Sequence, residues 1–177
     1  MSDAHTYSSD IAFTPAVKAV QARKGSRDGY ASMEARGGFR TEIDEHLASW
    51  LAQANSLYLA TASADGQPYI QHRGGPPGFL RMLDEATLGF ADFSGNRQYA
   101  TVRNLAQNPK ACLFLIDYAH GRRIKIRGEA RVDADPALVA RLMPEGYDAT
   151  PERAIVFRVA AWEVNCPRHI PRLVPSA

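Results

Sequence analysis

The sequence predicts a mainly β protein, a six-stranded antiparallel barrel with flanking helices and an N-terminal helical arm. Three observations predict it. From Ser56 onward, short apolar runs alternate with turn signals at hairpin spacing. Residues 122–133 alternate between apolar and charged side chains, the period of a strand with one buried face. A single helix-like run, with Tyr99, Val102 and Leu105 at three-residue steps, interrupts the strands and stops at Asn108-Pro109.

The first forty residues read as an arm that packs on the body or on a partner subunit, and residues 41–177 as the barrel domain. Residues 12–24 suit a short helix, with Thr14 as N-cap and Pro15 in the first helical position. Gly25-Ser26-Arg27-Asp28-Gly29 and Arg36-Gly37-Gly38 read as breaks. A second helix is expected over residues 42–54, where Ile43, Leu47, Trp50 and Leu51 share one face. Residues 56–62 and 68–73 form strands around the turn Ala64-Asp65-Gly66-Gln67. Gly74-Gly75-Pro76-Pro77-Gly78 ends that hairpin, and residues 85–93 follow as an apolar, aromatic strand. Beyond the interposed helix, residues 110–118 are a nearly continuous apolar strand, turned back by Ala119-His120-Gly121. In the alternating strand Ile124, Ile126, Gly128, Ala130 and Val132 share one face, and Arg123, Lys125, Arg127, Glu129 and Arg131 the other. Asp135-Pro136 caps a short helix through Leu142, and residues 154–164 supply the last strand.

Composition bounds the function. A chain of 177 residues, 45% hydrophobic and 23% charged, suits one soluble globular domain whose core needs no disulfide or metal staple. A net charge of +2 with interspersed signs argues against a dedicated nucleic-acid binder. No apolar run approaches the roughly 20 residues that cross a membrane. Met1-Ser2-Asp3-Ala4-His5-Thr6 lacks the basic-then-apolar order of a signal peptide, so the expected location is the cytoplasm. Cys112 sits in an apolar run and reads as a buried small hydrophobe, whereas Cys166 stands three residues from His169. No CxxC pair or HxxxH spacing occurs, and no metal site is expected.

The chemistry concentrates in Ser94-Gly95-Asn96-Arg97-Gln98-Tyr99. A polar, Gly-containing turn that opens a helix presents free backbone N–H groups, and Arg97 adds a cation beside them. That combination holds phosphate, although an ordinary connector with a solvated Arg has the same residues. Gln71-His72-Arg73-Gly74-Gly75 supplies long donors, with glycines that allow close backbone approach. Arg122 and Arg123 begin the alternating strand, facing either an anionic ligand or solvent. The run from Trp162 through Arg168, His169 and Arg172 is too rich in aromatic and basic residues for a plain tail.

These segments, in this order over residues 40–172, resemble the pyridoxamine 5′-phosphate oxidase-like family. The likeness rests on Tyr69-Ile70-Gln71-His72-Arg73-Gly74-Gly75, Phe90-Ala91-Asp92-Phe93-Ser94-Gly95-Asn96-Arg97-Gln98, Asn108-Pro109 and Arg122-Arg123-Ile124-Lys125-Ile126-Arg127-Gly128. The resemblance implies a split β-barrel that binds FMN and acts as an oxidoreductase through the flavin N5. It places Asn96, Arg97 and Gln98 at the flavin phosphate, and Phe90 and Ala91 along the flavin. Gln71, His72 and Arg73 would follow the ring and ribityl chain. Arg123 falls where the family's oxidases carry a Gln near the flavin ring, and a cation there would favour the anionic reduced flavin. The family's usual homodimer, with flavin at the interface, would bring Trp162, His169 and Arg172 from the second chain.

Two departures separate the chain from the oxidase itself. Gln98 stands where the oxidases have a Lys, and Arg168-His169-Ile170-Pro171-Arg172 is looser than their R-x-H-x-R. A relative with another substrate is therefore expected. A deazaflavin or haem in the same barrel, and a flavin-binding protein that senses rather than catalyses, are the alternatives.

Overall fold

The computed structural model describes residues 7–173. Residues 1–6, on which the signal-peptide reading rests, and residues 174–177 of the expected barrel domain lie outside them. After a short 3-10 turn at Ser8–Ile11 come α1 (Pro15–Arg23), α2 (Arg27–Ala35) and α3 (Glu45–Gln53). Then follow β1 (Ser56–Ala62), β2 (Pro68–Gly74), β3 (Arg81–Asp84), β4 (Thr87–Phe93) and α4 (Ala100–Gln107). The chain continues through β5 (Lys110–Asp117), β6 (Arg122–Asp133), α5 (Pro136–Leu142) and β7 (Pro151–Val164).

The described strands form one seven-stranded sheet in the order β2-β1-β5-β6-β7-β4-β3, and every neighbouring pair is antiparallel. The seventh strand corrects the expected six. Asp84 Oδ1 accepts from Ala86 N at 2.9 Å, a tight turn that separates β3 from β4 where one strand was expected. β3 is short, mostly exposed and lies at the sheet edge, so it lacks the alternation that marks a strand in sequence.

The sheet curls strongly. In a flat sheet β2 and β4, five strand steps apart, would stand roughly 24 Å from one another. Yet Arg73 Nε on β2 lies 2.8 Å from Asp92 Oδ1 on β4. The two strands meet through side chains rather than a backbone ladder, so the curl is closed along a split.

The core follows from strand register. Leu59, Leu113, Ile126 and Trp162 stand opposite one another across β1, β5, β6 and β7, and all are buried. Leu47, Trp50 and Leu51 of α3 cover this layer, with α3 started by Asp44 Oδ1 accepting from Leu47 N at 2.9 Å. On the opposite face of the sheet, Tyr58, Phe114 and Ile116 are half-buried and Ile70 is 61% exposed.

The alternation read for β6 holds: Ile124, Ile126, Gly128 and Ala130 are buried, while Arg123, Lys125 and Arg127 are half-buried. Gly128 is fixed by contact, not by dihedral freedom. It follows a bulge in the β6–β7 ladder, and a Cβ added there would lie 1.9 Å from the carbonyl oxygen of Arg158.

The arm is more helical than expected. The break at residues 25–29 is confined to Gly25, at φ +76°, and α2 runs through Gly29. Around the buried carboxylate of Glu34, Ser9 Oγ bonds at 3.1 Å, Lys18 Nζ stands at 3.3 Å and Arg27 makes an ion pair. The arm then ties to the sheet where Trp162 N donates to the Arg40 carbonyl at 2.8 Å.

These two glycines predict opposite outcomes. Gly128→Ala should lower stability by about 3 kcal/mol, because backbone must move to admit the methyl group. Gly29→Ala, which meets open space in a helix, should raise it by roughly 0.5–1 kcal/mol. Urea midpoints of the two variants check both.

Candidate functional site

The split between β2 and β4 holds the site. Alternation along β2 sends Gln71 and Arg73 into it, where they line a cavity of about 70 Å³. The same alternation turns His72 to the opposite face, which corrects the expectation that these three residues act together. There His72 Nε2 lies 3.0 Å from Ser56 Oγ, and its ring stands edge-on to Tyr58 at 5.7 Å.

Asp92 reaches the split from β4 and is only 8% exposed. Its carboxylate lies between Arg73 and Arg153, whose Nε is 3.9 Å from Oδ2. Arg153 stands directly across the β4–β7 ladder from Asp92 and also pairs with Glu152. Burial pushes the Asp92 carboxyl above its usual range, and the two guanidiniums only partly offset it.

The segment after β4 carries backbone strain. Arg97 and Tyr99 adopt left-handed φ values of 57° and 54°, a region that non-glycine residues seldom occupy outside constrained sites. Asn96 Oδ1 accepts from Gln98 N at 3.3 Å, and Ser94 N donates to the Thr150 carbonyl at 2.8 Å. Tyr99 then serves as the N-cap of α4, beneath the Arg153 guanidinium at 5.3 Å, without contributing a side-chain cap.

The first residues of α4, Ala100, Thr101 and Val102, therefore line the cavity at an uncapped helix start. Thr101 is 3% exposed, and its buried Oγ1 has no hydrogen-bond partner among the described residues. Opposite, Tyr69 donates to Gln71 Oε1 and lies 3.4 Å from Gln98 Oε1. Arg97 is exposed and has no carboxylate partner among the described residues. Three guanidiniums, two carboxylates, an uncapped helix start and an orphan hydroxyl line this small cavity, and its cationic groups have the chemistry that suits a compact anion.

The structure thus brings Gln71, Arg73, Asn96, Arg97 and Gln98 together. Phe90 and Ala91 lie just before Asp92, but their side chains are buried in apolar clusters, Phe90 edge-on to Phe79 at 6.0 Å. Arg123 lies opposite Ile116 on β6, away from this cavity, with Nε buried and unpartnered among the described residues. Trp162 takes the place of a core residue. Its register with Ile126 places it in the core at 1% exposure, with Nε1 donating to the Glu42 carbonyl at 2.7 Å. His169, at φ 63°, and Arg172 are exposed and do not line the cavity.

Sequence reasoning missed Asp92, Thr101 and Arg153 as site residues. Asp92 had one visible signal, a charge inside an apolar strand. Thr101 stood within the helix start that follows the Ser94–Tyr99 turn, whereas Arg153 had no signal, because it meets Asp92 only through the pairing of β4 with β7.

The profile of the family described as pyridoxamine 5′-phosphate oxidase matches residues 43–166, more than half of the chain. The chain belongs to this family. The pyridoxine/pyridoxamine 5′-phosphate oxidase of Cupriavidus taiwanensis is 29% identical over 133 residues, covering 75% of this chain and 55% of the relative. The enzyme of the same description from Acidothermus cellulolyticus is 26% identical over 113 residues, covering 57% and 46%. The chain thus spans about half the length of these curated relatives. Among solved structures, an FMN-binding protein from Syntrophomonas wolfei superimposes with a TM-score of 0.54 at 17% identity, covering 82% of this chain and 97% of that one. HupZ from Group A Streptococcus gives 0.57 at 18%, covering 70% and 99%. Both likenesses establish the shared fold.

The buried carboxylate has a signature in stability. With its pKa raised by folding, Asp92 binds a proton more readily in the folded than in the unfolded chain, so its contribution to stability grows as pH falls. The urea midpoint of the unaltered chain should therefore gain on that of Asp92→Asn as pH is lowered from neutrality toward the ordinary carboxylate range. A difference that is flat, or that moves the other way, contradicts the buried placement.

Proposed function

We propose that the chain is a flavin-dependent oxidoreductase whose β2–β4 split holds the phosphate of FMN. The carrying observation is the uncapped start of α4, where the orphan Thr101 Oγ1 and the guanidiniums of Arg73, Arg97 and Arg153 converge. Family membership supports the flavin, and the FMN-binding fold relative agrees with it. When bound, the flavin supplies hydride transfer through its N5.

The chain's own residues would bind and orient. Arg97, which has no internal ion pair among the described residues, supplies the mobile cation at the phosphate, and the α4 N–H groups supply fixed donors. Gln71 and Gln98, joined through Tyr69, present amide groups at the cavity wall, where the phosphate-bearing chain would leave it. The half-buried outer sheet face around Tyr58, Phe114 and Ile116 suits burial against a second copy, which would enclose the flavin and exclude water. Arg123, on that face, would then bring its charge toward the interface. A small-molecule substrate and a cytoplasmic setting complete the reading.

Arg97→Ala should weaken FMN binding by roughly tenfold or more, the loss of one charge-assisted phosphate contact. Riboflavin, which lacks the phosphate, should bind the variant and the unaltered chain alike. Flavin fluorescence titrations measure both. Equal FMN affinity in the variant would remove Arg97 from the site. Oxidation of a reduced nicotinamide by the FMN-loaded chain with an added acceptor then distinguishes an enzyme from a binding protein.

A further inference from the structure

We infer that the groove between α3 and the β5–β6 hairpin is a second ligand site, and that it takes a small neutral aromatic carboxamide. The groove shares no residue with the cavity of the β2–β4 split, and the inference is independent of the phosphate reading.

The groove has a volume of about 430 Å³, within the roughly 300–1,000 Å³ typical of ligand pockets. One wall comes from α3 with Trp50 and Gln53, the other from the hairpin with Asp117, His120 and Arg122. Leu115 and Leu173 add apolar contact. Trp50 carries the inference. It is only 9% exposed, and its Nε1 is buried without a hydrogen-bond partner among the described residues. A buried N–H left unmet costs free energy, and a ligand oxygen placed on it recovers that loss. The Arg122 guanidinium stands 5.0 Å over the indole ring. That side chain is exposed, so its rotation opens the indole to a ligand.

The wall's hydrogen-bonding groups define the ligand. An indole N–H and a guanidinium donate and cannot accept, so the ligand must bring an acceptor. Gln53 has the opposite need. Its Nε2 already donates to the Ser49 carbonyl at 3.1 Å and to Ser49 Oγ at 3.2 Å, which leaves its own carbonyl oxygen to accept. A primary carboxamide meets both demands, its oxygen on the donors and its NH2 on Gln53. Charge decides against a carboxylate. Asp117 and Arg122 are the only Asp, Glu, Lys or Arg side chains on the wall, and they pair at 2.7 Å. Asp117 also accepts from the His120 backbone N–H at 3.0 Å. The fixed charges cancel, so an anion would enter without a counter-charge, whereas a neutral amide forfeits nothing. An aromatic body suits the apolar contacts and the cation on the wall.

The test titrates benzamide, N,N-dimethylbenzamide and benzoate at pH 8 into the full chain labelled with 15N. The chain has two tryptophans, and Trp162, whose Nε1 already donates to the Glu42 carbonyl, serves as the internal reference. Benzamide should move the Trp50 indole N–H resonance downfield, saturating at roughly millimolar concentration, as expected for so few atoms. The Trp162 resonance should move much less. Dimethylbenzamide and benzoate should each bind several-fold more weakly. Trp50→Phe should weaken benzamide binding roughly tenfold, read from the ligand signals by saturation transfer. Ser49→Phe, at an exposed position on the groove rim, should block binding without touching the core, and it answers the question if Trp50→Phe fails to fold. Arg97→Ala should leave the benzamide titration unchanged. No saturable shift of the Trp50 resonance overturns the site. Benzoate binding as tightly as benzamide overturns the neutral amide as its ligand. A benzamide shift lost in Arg97→Ala would put the ligand in the β2–β4 split and overturn the groove. None of these outcomes bears on FMN binding, which the riboflavin comparison judges separately.

Discussion

The contact between Arg73 and Asp92 closes this molecule. All seven described strands could lie in an open, twisted sheet with their hydrogen bonds intact. What brings β2 against β4 is the burial of one apolar face inside the curl, and what fixes their relative position is this ion pair across the split. The pair is not a source of net stability, because burial penalises the Asp92 carboxylate more than its arginines repay. Stability comes from the leucine, isoleucine and aromatic layer beneath. The pair determines where the guanidiniums of the split stand.

The same logic explains the segment between β4 and α4. Two left-handed non-glycine residues are a cost to folding, and Tyr99 gives α4 no side-chain cap. Both features keep backbone donors pointed into the cavity instead of satisfied internally. Neighbouring anchors hold the strain in place: Ser94 to the Thr150 carbonyl, and Asn104 Nδ2 to the buried Thr61 Oγ1 at 3.0 Å. Local disorder of hydrogen bonding at the site is bought by order around it.

Much of this architecture was legible in the sequence. β6 runs over the residues its alternation marks, Asp135 and Thr14 cap the helices they precede, and the 56–74 hairpin pairs as its turn signal implies. Gly95 to Tyr99, Arg97 among them, line the cavity of the β2–β4 split. β3 escaped because a short, exposed edge strand carries no periodic signal. α2 escaped because Gly29 reads as a break, although a helix surrounded by solvent tolerates it. The side-chain directions of His72 and Trp162 were not legible for one reason: strand parity and register decide which way a side chain points, and motif spelling does not. Arg153 meets Asp92 by pairing between β4 and β7, strands far apart in sequence, and only the three-dimensional curl brings Arg73 to them.

A cylinder sealed by a hydrogen-bonded ladder must break several bonds in concert to open. Here the seam between β2 and β4 consists of side chains, and every ladder between strands stays whole whichever way those side chains turn. Parting β2 from β4 would cost an ion pair and some apolar burial but no backbone hydrogen bond.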